Sequence, residues 1–165
     1  MSERNANGFT LIEMLVAVAV TVIAATVAIP AFYGFLQNQR STTEANNLVT
    51  AIQLARSEAV QRGEAVELCA SDDGSTCGGS WTDGWLVRVA GGGTEVIRVW
   101  DELAAGGNVA EGGDATRIVF NSRGEADSSY GLDLWFTGCS GDRTRSIDIN
   151  QAGRPSITRS NAKCD

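Results

Sequence analysis

The chain has no histidine and only two prolines, Pro30 and Pro155, among 165 residues. Without histidine it lacks the side chain that most often serves as a general base near neutral pH, and the usual imidazole ligand for zinc. With so few prolines it cannot contain a proline-rich linker. No cysteine precedes Cys69, and no charged side chain stands between Glu13 and Arg40. Positive charge is also scarce: the net charge is −7, which excludes a surface that binds nucleic acid all over, because neutralising phosphates takes clustered Lys and Arg.

Against these gaps stand 19 glycines and 43% hydrophobic residues, the composition of a turn-rich β domain and not of a disordered tail. The length suits one membrane-length helix and one small domain. The four cysteines, Cys69, Cys77, Cys139 and Cys164, read as two disulfides, since an all-cysteine zinc site needs paired close spacings. Three pairings are open on paper. We favour Cys69 with Cys77, across a short Asp-Gly-Ser loop, and Cys139 with Cys164, tying the last strands to the end of the chain. Bridged cysteines point outside the cytosol.

Residues 14–39 are uncharged, and 9–29 would span about 31 Å as a helix, enough for a bilayer core of about 30 Å. The apolar run continues past Ile29 to Phe32 and Phe35 with no small-residue cleavage site, so it reads as retained. Its many Ala and Val residues, with Thr21 and Thr26, suit close packing of helices, with hydroxyls available to bond across. Pro30 removes one backbone donor and should kink or loosen the helix there. Glu13 is the anomaly, because a carboxylate near a bilayer centre costs on the order of 2.5–3.5 kcal/mol on insertion scales. The helix macrodipole offsets only about 0.3–1 kcal/mol of that. The rest calls for a cation. Cutting the chain before Phe9 would supply one, an α-amino group about 6 Å along the helix axis, or at the same level on a neighbouring helix.

Beyond the apolar run, Ala45, Leu48, Ile52, Ala55 and Ala59 recur at helical spacing, and Gly63 follows Arg62 as a C-terminal cap. One helix from about Phe9 to Arg62 is therefore expected. After it, strand periodicity appears in 65–70, 84–89, 95–100, 117–121, 131–136, 146–150 and 156–159, separated by Gly, Asp and Ser. The stretch "RVAGGGTEVIRVW" reads as a hairpin, and "NSRGEA" and "NQAGRP" as tight turns. The fold class is α+β: a long N-terminal helix packed on an antiparallel β domain, divided as 1–8, 9–36, 37–63 and 64–165.

The segment "GFTLIEMLVAVAVTVIAATVAIPAF" resembles the class III signal of type IV pilins and type II secretion pseudopilins. The resemblance implies that a prepilin peptidase cuts between Gly8 and Phe9 and N-methylates Phe9. It further implies that Glu13 pairs with the amino terminus of a neighbouring subunit during assembly, with Pro30 part of the same assembly helix. It makes 1–8 a leader and places the subunit in the bacterial inner membrane, single-pass, with the β domain in the periplasm. The segments "ARSEAVQRGEAVELC", "IVFNSRGEA" and "SIDINQAGRPSITR" are similar to the FimT/FimU/GspH branch of minor pilins and pseudopilins. The implied partners are the prepilin peptidase, other pilins or pseudopilins and the inner membrane. Within this resemblance a pilus subunit, a secretion pseudopilin and a DNA-uptake receptor are three distinct roles.

DNA binding in FimT proteins is associated with a terminal Gly-Arg-x-Arg element. Here Gly153-Arg154 is followed by Ser156 where the second Arg would stand, and the next cations are Arg159 and Lys163. From Arg143 onward five cations face only Asp148 and Asp165, an asymmetry in an acidic chain that makes Arg154, Arg159 and Lys163 candidate DNA contacts; a charged edge strand is the simpler reading. "SDDGST" lacks the spacing and distal Glu of a calcium loop and reads as a solvated turn, so no metal or cofactor is expected. Of the tryptophans, Trp85, Trp100 and Trp135 fall in strand patterns, whereas Trp81, among glycines, is expected to be exposed. No nucleophile has an evident base, so the chain reads as a substrate of a processing enzyme and not as an enzyme.

Overall fold

In a computed structural model, residues 10–91, 95–111, 116–139 and 141–164 are described, apart from the side chain of Ala31. Helix α1 runs Leu11–Arg62, with Glu13 in its first turn, Arg62 in its last and Pro30 inside it. Pro30 leaves the Thr26 carbonyl without its usual helical donor, yet the helix is continuous through it. Gly63 ends the helix at φ 70°, the left-handed conformation that a residue without Cβ adopts readily, and its amide donates to the Ala59 carbonyl at 3.1 Å. Arg62 is held to Glu58 and Glu95.

Eight strands follow: β1 Val66–Ala70, β2 Trp85–Val89, β3 Val96–Trp100, β4 Gly107–Glu111, β5 Arg117–Phe120, β6 Tyr130–Phe136, β7 Thr144–Ile149 and β8 Pro155–Ser160. They form two four-stranded antiparallel sheets, in the orders β3-β2-β1-β5 and β4-β6-β7-β8. Strand β4, "GNVAE", is the one element that the sequence pattern misses, because it carries no run of alternating apolar residues. The β2–β3 hairpin is present; Gly92 and Gly93 of its loop lie outside the described residues.

The chain divides into two compact units, Met1–Leu36 and Gln37–Asp165. In the second, Leu48, Ala51, Ile52, Ala55 and Ala59 of α1 are fully buried with Leu68, Val87, Phe120, Leu134 and Ile147 from both sheets. Alanines at 51, 55 and 59 form one i, i+4 ridge that lets the strands approach the helix closely, while Leu48 and Ile52 fill the space beside it. Trp81 is a correction: it is only 1% exposed and belongs to this core. The turn that carries it is folded back by the Leu103 amide, which donates to the Thr82 carbonyl at 3.0 Å, so the ring is buried despite its polar sequence neighbours.

Disulfides join Cys69 to Cys77 and Cys139 to Cys164. The second closes a separation of 25 residues around β7 and β8. Replacing both Cys139 and Cys164 by Ser should lower unfolding stability by about 3 kcal/mol, because the open chain gains entropy when unfolded. Thermal melting of the purified full chain in detergent checks this, and an unchanged midpoint would contradict it.

Candidate functional site

From Leu11 to Phe35 the described part of the first unit is apolar on every side. Leu11, Ile12, Leu15, Val18, Val22, Ile23, Val27, Ile29, Phe32 and Phe35 are all exposed, so no face is reserved for a soluble core. By length and composition α1 can cross a membrane. The hydroxyls of Thr21 and Thr26 do not reach outward; they donate to the carbonyls of Ala17 and Ile23, both at 2.7 Å. A hydroxyl so engaged inside its own helix spares the apolar surround a free donor, and its oxygen keeps a lone pair that a neighbouring helix could meet.

Glu13 has a local role that the sequence reading overlooked. The Thr10 amide donates to Glu13 Oε2 at 3.4 Å, and the Glu13 amide donates to Thr10 Oγ1 at 3.3 Å. This reciprocal pair is a capping box, legible as Thr-x-x-Glu, and it satisfies two of the amides that a helix start leaves bare. It fixes where the carboxylate sits without neutralising it. Gly8 and Phe9 lie outside the described residues.

The three family-like segments of the second unit meet at one place. Arg56 of α1 donates from Nε to the Gly124 carbonyl at 3.0 Å, and the Ala126 amide donates to the Gln151 carbonyl at 3.0 Å. The turns at Gly124 (φ 74°) and Gly153 (φ 71°) therefore lie against each other under the Arg56 side chain. A Cβ at Gly153 would stand 2.2 Å from the Gly124 carbonyl oxygen. The residues of "ARSEA", "FNSRG" and "AGR" thus build a clasp that holds α1 to both turns.

The candidate DNA contacts do not converge in the same way. Arg154, Arg159 and Lys163 are all exposed. Arg154 stands on the turn before β8, where the Asn150 side chain caps its amide at 3.0 Å, and Arg159 lies five residues on, near the other end of the strand. That is up to about 17 Å of extended chain, so the two side chains do not start from one point. Lys163 lies over the Trp135 ring, 5.8 Å from its centroid. Arg145, counted from sequence among the surface cations, is instead only 3% exposed.

In the "SDDGST" loop the Asp73 carboxylate is occupied by the loop itself. It accepts from the amides of Thr76 and Ser75, both at 2.7 Å, and from the hydroxyls of Thr76 and Ser71. The Thr76 amide, then the Ser75 amide, hold its carboxyl far below the ordinary carboxylate range. A depressed pKa gives stability that is fully present above the ordinary titration near pH 4 and is lost progressively as the pH falls from there through the lowered value. This arrangement closes a turn and leaves few lone pairs for a cation.

An apolar helix headed by a capped acid, continuing as an amphipathic helix beside two antiparallel sheets, is the architecture of a pilin-like subunit. The family described as type II transport protein GspH matches residues 44–153, and the prokaryotic N-terminal methylation motif matches residues 4–29. The chain belongs to the GspH family, within the minor pilins and pseudopilins. It is similar to the type IV minor pilin FimU of Pseudomonas aeruginosa, with 25% identity and a TM-score of 0.62 over 75% of this chain and 92% of that one. The minor pseudopilin EpsH of the type 2 secretion system of Vibrio cholerae shares the fold, with 15% identity and a TM-score of 0.53 over 73% of this chain and 97% of that one. The type IV major fimbrial protein FimA of Dichelobacter nodosus is 33% identical over 88 residues, covering 52% of this chain. The chain spans about half the length of that curated relative, 49%.

Proposed function

We propose that the chain is a minor pilin that helps to start or cap a type IV pilus-like filament. The observation that carries this reading is Glu13: a carboxylate fixed by a capping box at the head of a helix that carries no other charge until Arg40. The methylation motif over 4–29 and the likeness to FimU support it. The subunit waits in the inner membrane with its β domain in the periplasm. A prepilin peptidase removes 1–8, and the new amino group at Phe9 becomes the cation that a neighbouring Glu13 needs. Other minor and major pilins are the partners. A replacement of Gly8 by Leu should block processing; mass spectrometry of the membrane-extracted chain should then find the uncut form only, and a chain starting at Phe9 would contradict the assigned junction.

A second reading, a pseudopilin serving protein export, is favoured by the description of the family itself. Deleting the gene separates the two: loss of surface filaments or twitching supports the pilus reading, whereas loss of secreted enzymes with filaments intact supports export.

A further inference from the structure

Arg145, on β7, is a buried cation with only neutral partners. Its guanidinium donates to Asn38 Oδ1 at 2.6 Å, to Thr42 Oγ1 at 3.1 Å and to the Asp142 carbonyl at 3.3 Å. Among the described residues no carboxylate lies within 4.0 Å of it or of Arg159, which stands directly opposite on β8. Neutral oxygens satisfy its N–H groups but not its charge, and an ion buried without a counterion is costly. Like charges across a strand pair add to that cost. Burial, and then the charge of Arg159, push the Arg145 pKa below its ordinary value.

The two arginines are not sealed away. They line a notch of about 190 Å³ between α1 and β8, whose remaining walls are Thr42, Ala45, Asn46 and Ile157. That is room enough for one carboxylate side chain. We propose that this notch receives an Asp or Glu side chain of a neighbouring pilin-type subunit, paired with Arg145 and Arg159, and so forms a second docking point of the β domain in the filament. The inference rests on the filament reading above. An acidic protein side chain fits better than a DNA phosphate, for two reasons. The walls at Ala45 and Ile157 are apolar, and a chain of net charge −7 repels a polyanion while a single carboxylate can be drawn into a local basic notch.

The test uses the full chain in its own cells, with a photo-crosslinking amino acid in place of Ile157, which is 39% exposed at the mouth of the notch. The expected adduct joins a pilin-type subunit at a segment containing Asp or Glu. Arg159→Glu should cut its yield at least tenfold, Arg159→Lys should retain most of it, and changing the partner's carboxylate to Arg should restore it in the Arg159→Glu strain. An unchanged melting midpoint for Arg159→Glu shows that the fold is intact. An adduct with DNA, an adduct insensitive to Arg159→Glu, or no adduct from a chain that is present in sheared filaments overturns the notch and leaves the filament reading standing. A chain absent from filaments even with Arg159 intact overturns both.

Discussion

Gly153→Ala is expected to destabilise the β domain by about 3–5 kcal/mol, a loss large enough to leave little folded protein. Two costs add. The position has φ 71°, where an L side chain costs roughly 1–2 kcal/mol. The new Cβ would also stand 2.2 Å from the Gly124 carbonyl oxygen, which is itself held by Arg56, so the two turns and the helix must part to admit it. Gly63 separates the terms, because it has nearly the same backbone at φ 70° but nothing within 4 Å of its Cβ position. Gly63→Ala should cost only about 1–2 kcal/mol. Thermal or chemical unfolding of the two full-length variants checks the difference, and equal losses would show that the clasp is not tight.

Glu13→Gln should abolish incorporation into filaments while leaving processing and the helix start intact. The capping box tolerates either Glu or Gln at this position, so the amide oxygen of Gln can still accept from Thr10. Only the charge is lost. Thr10→Val is the complementary variant: it removes the hydroxyl cap, worth about 1 kcal/mol, but keeps the carboxylate, and should assemble nearly normally. Immunoblots of sheared filaments and of membranes report incorporation and processing separately. Normal incorporation of Glu13→Gln, with loss in Thr10→Val, would make Glu13 a helix cap and nothing more.

The helix was legible because its two signals, an uncharged run and an Ala/Leu/Ile stripe, are both local, and its C-terminal cap is a glycine after an arginine. Seven strands were legible by alternation and turn chemistry; β4 was not, since Gly107 and Asn108 carry no strand signal and the pairing with β6 decides it. Trp81 was misplaced because its neighbours are turn residues, and only the fold shows that the turn tucks its ring into the core. The clasp and the notch were invisible for a shared reason. Arg56, Gly124 and Gly153 meet, as do Asn38, Arg145 and Arg159, only through sheet topology, and a charge pattern read along the chain cannot tell the buried Arg145 from its exposed neighbours. The capping box at Thr10 and Glu13 could have been read, because its spacing is entirely local.

The most direct measurement is zero-length coupling at Glu13. A membrane-permeant carbodiimide applied to assembled filaments activates carboxylates in apolar surroundings and joins them only to amines in contact. The expected product, by peptide mass spectrometry, links Glu13 to the amino-terminal residue of another subunit. Filaments that contain the chain but yield no such peptide, or that link Glu13 only to lysine side chains, would contradict a docking charge met by a neighbour's new amino terminus.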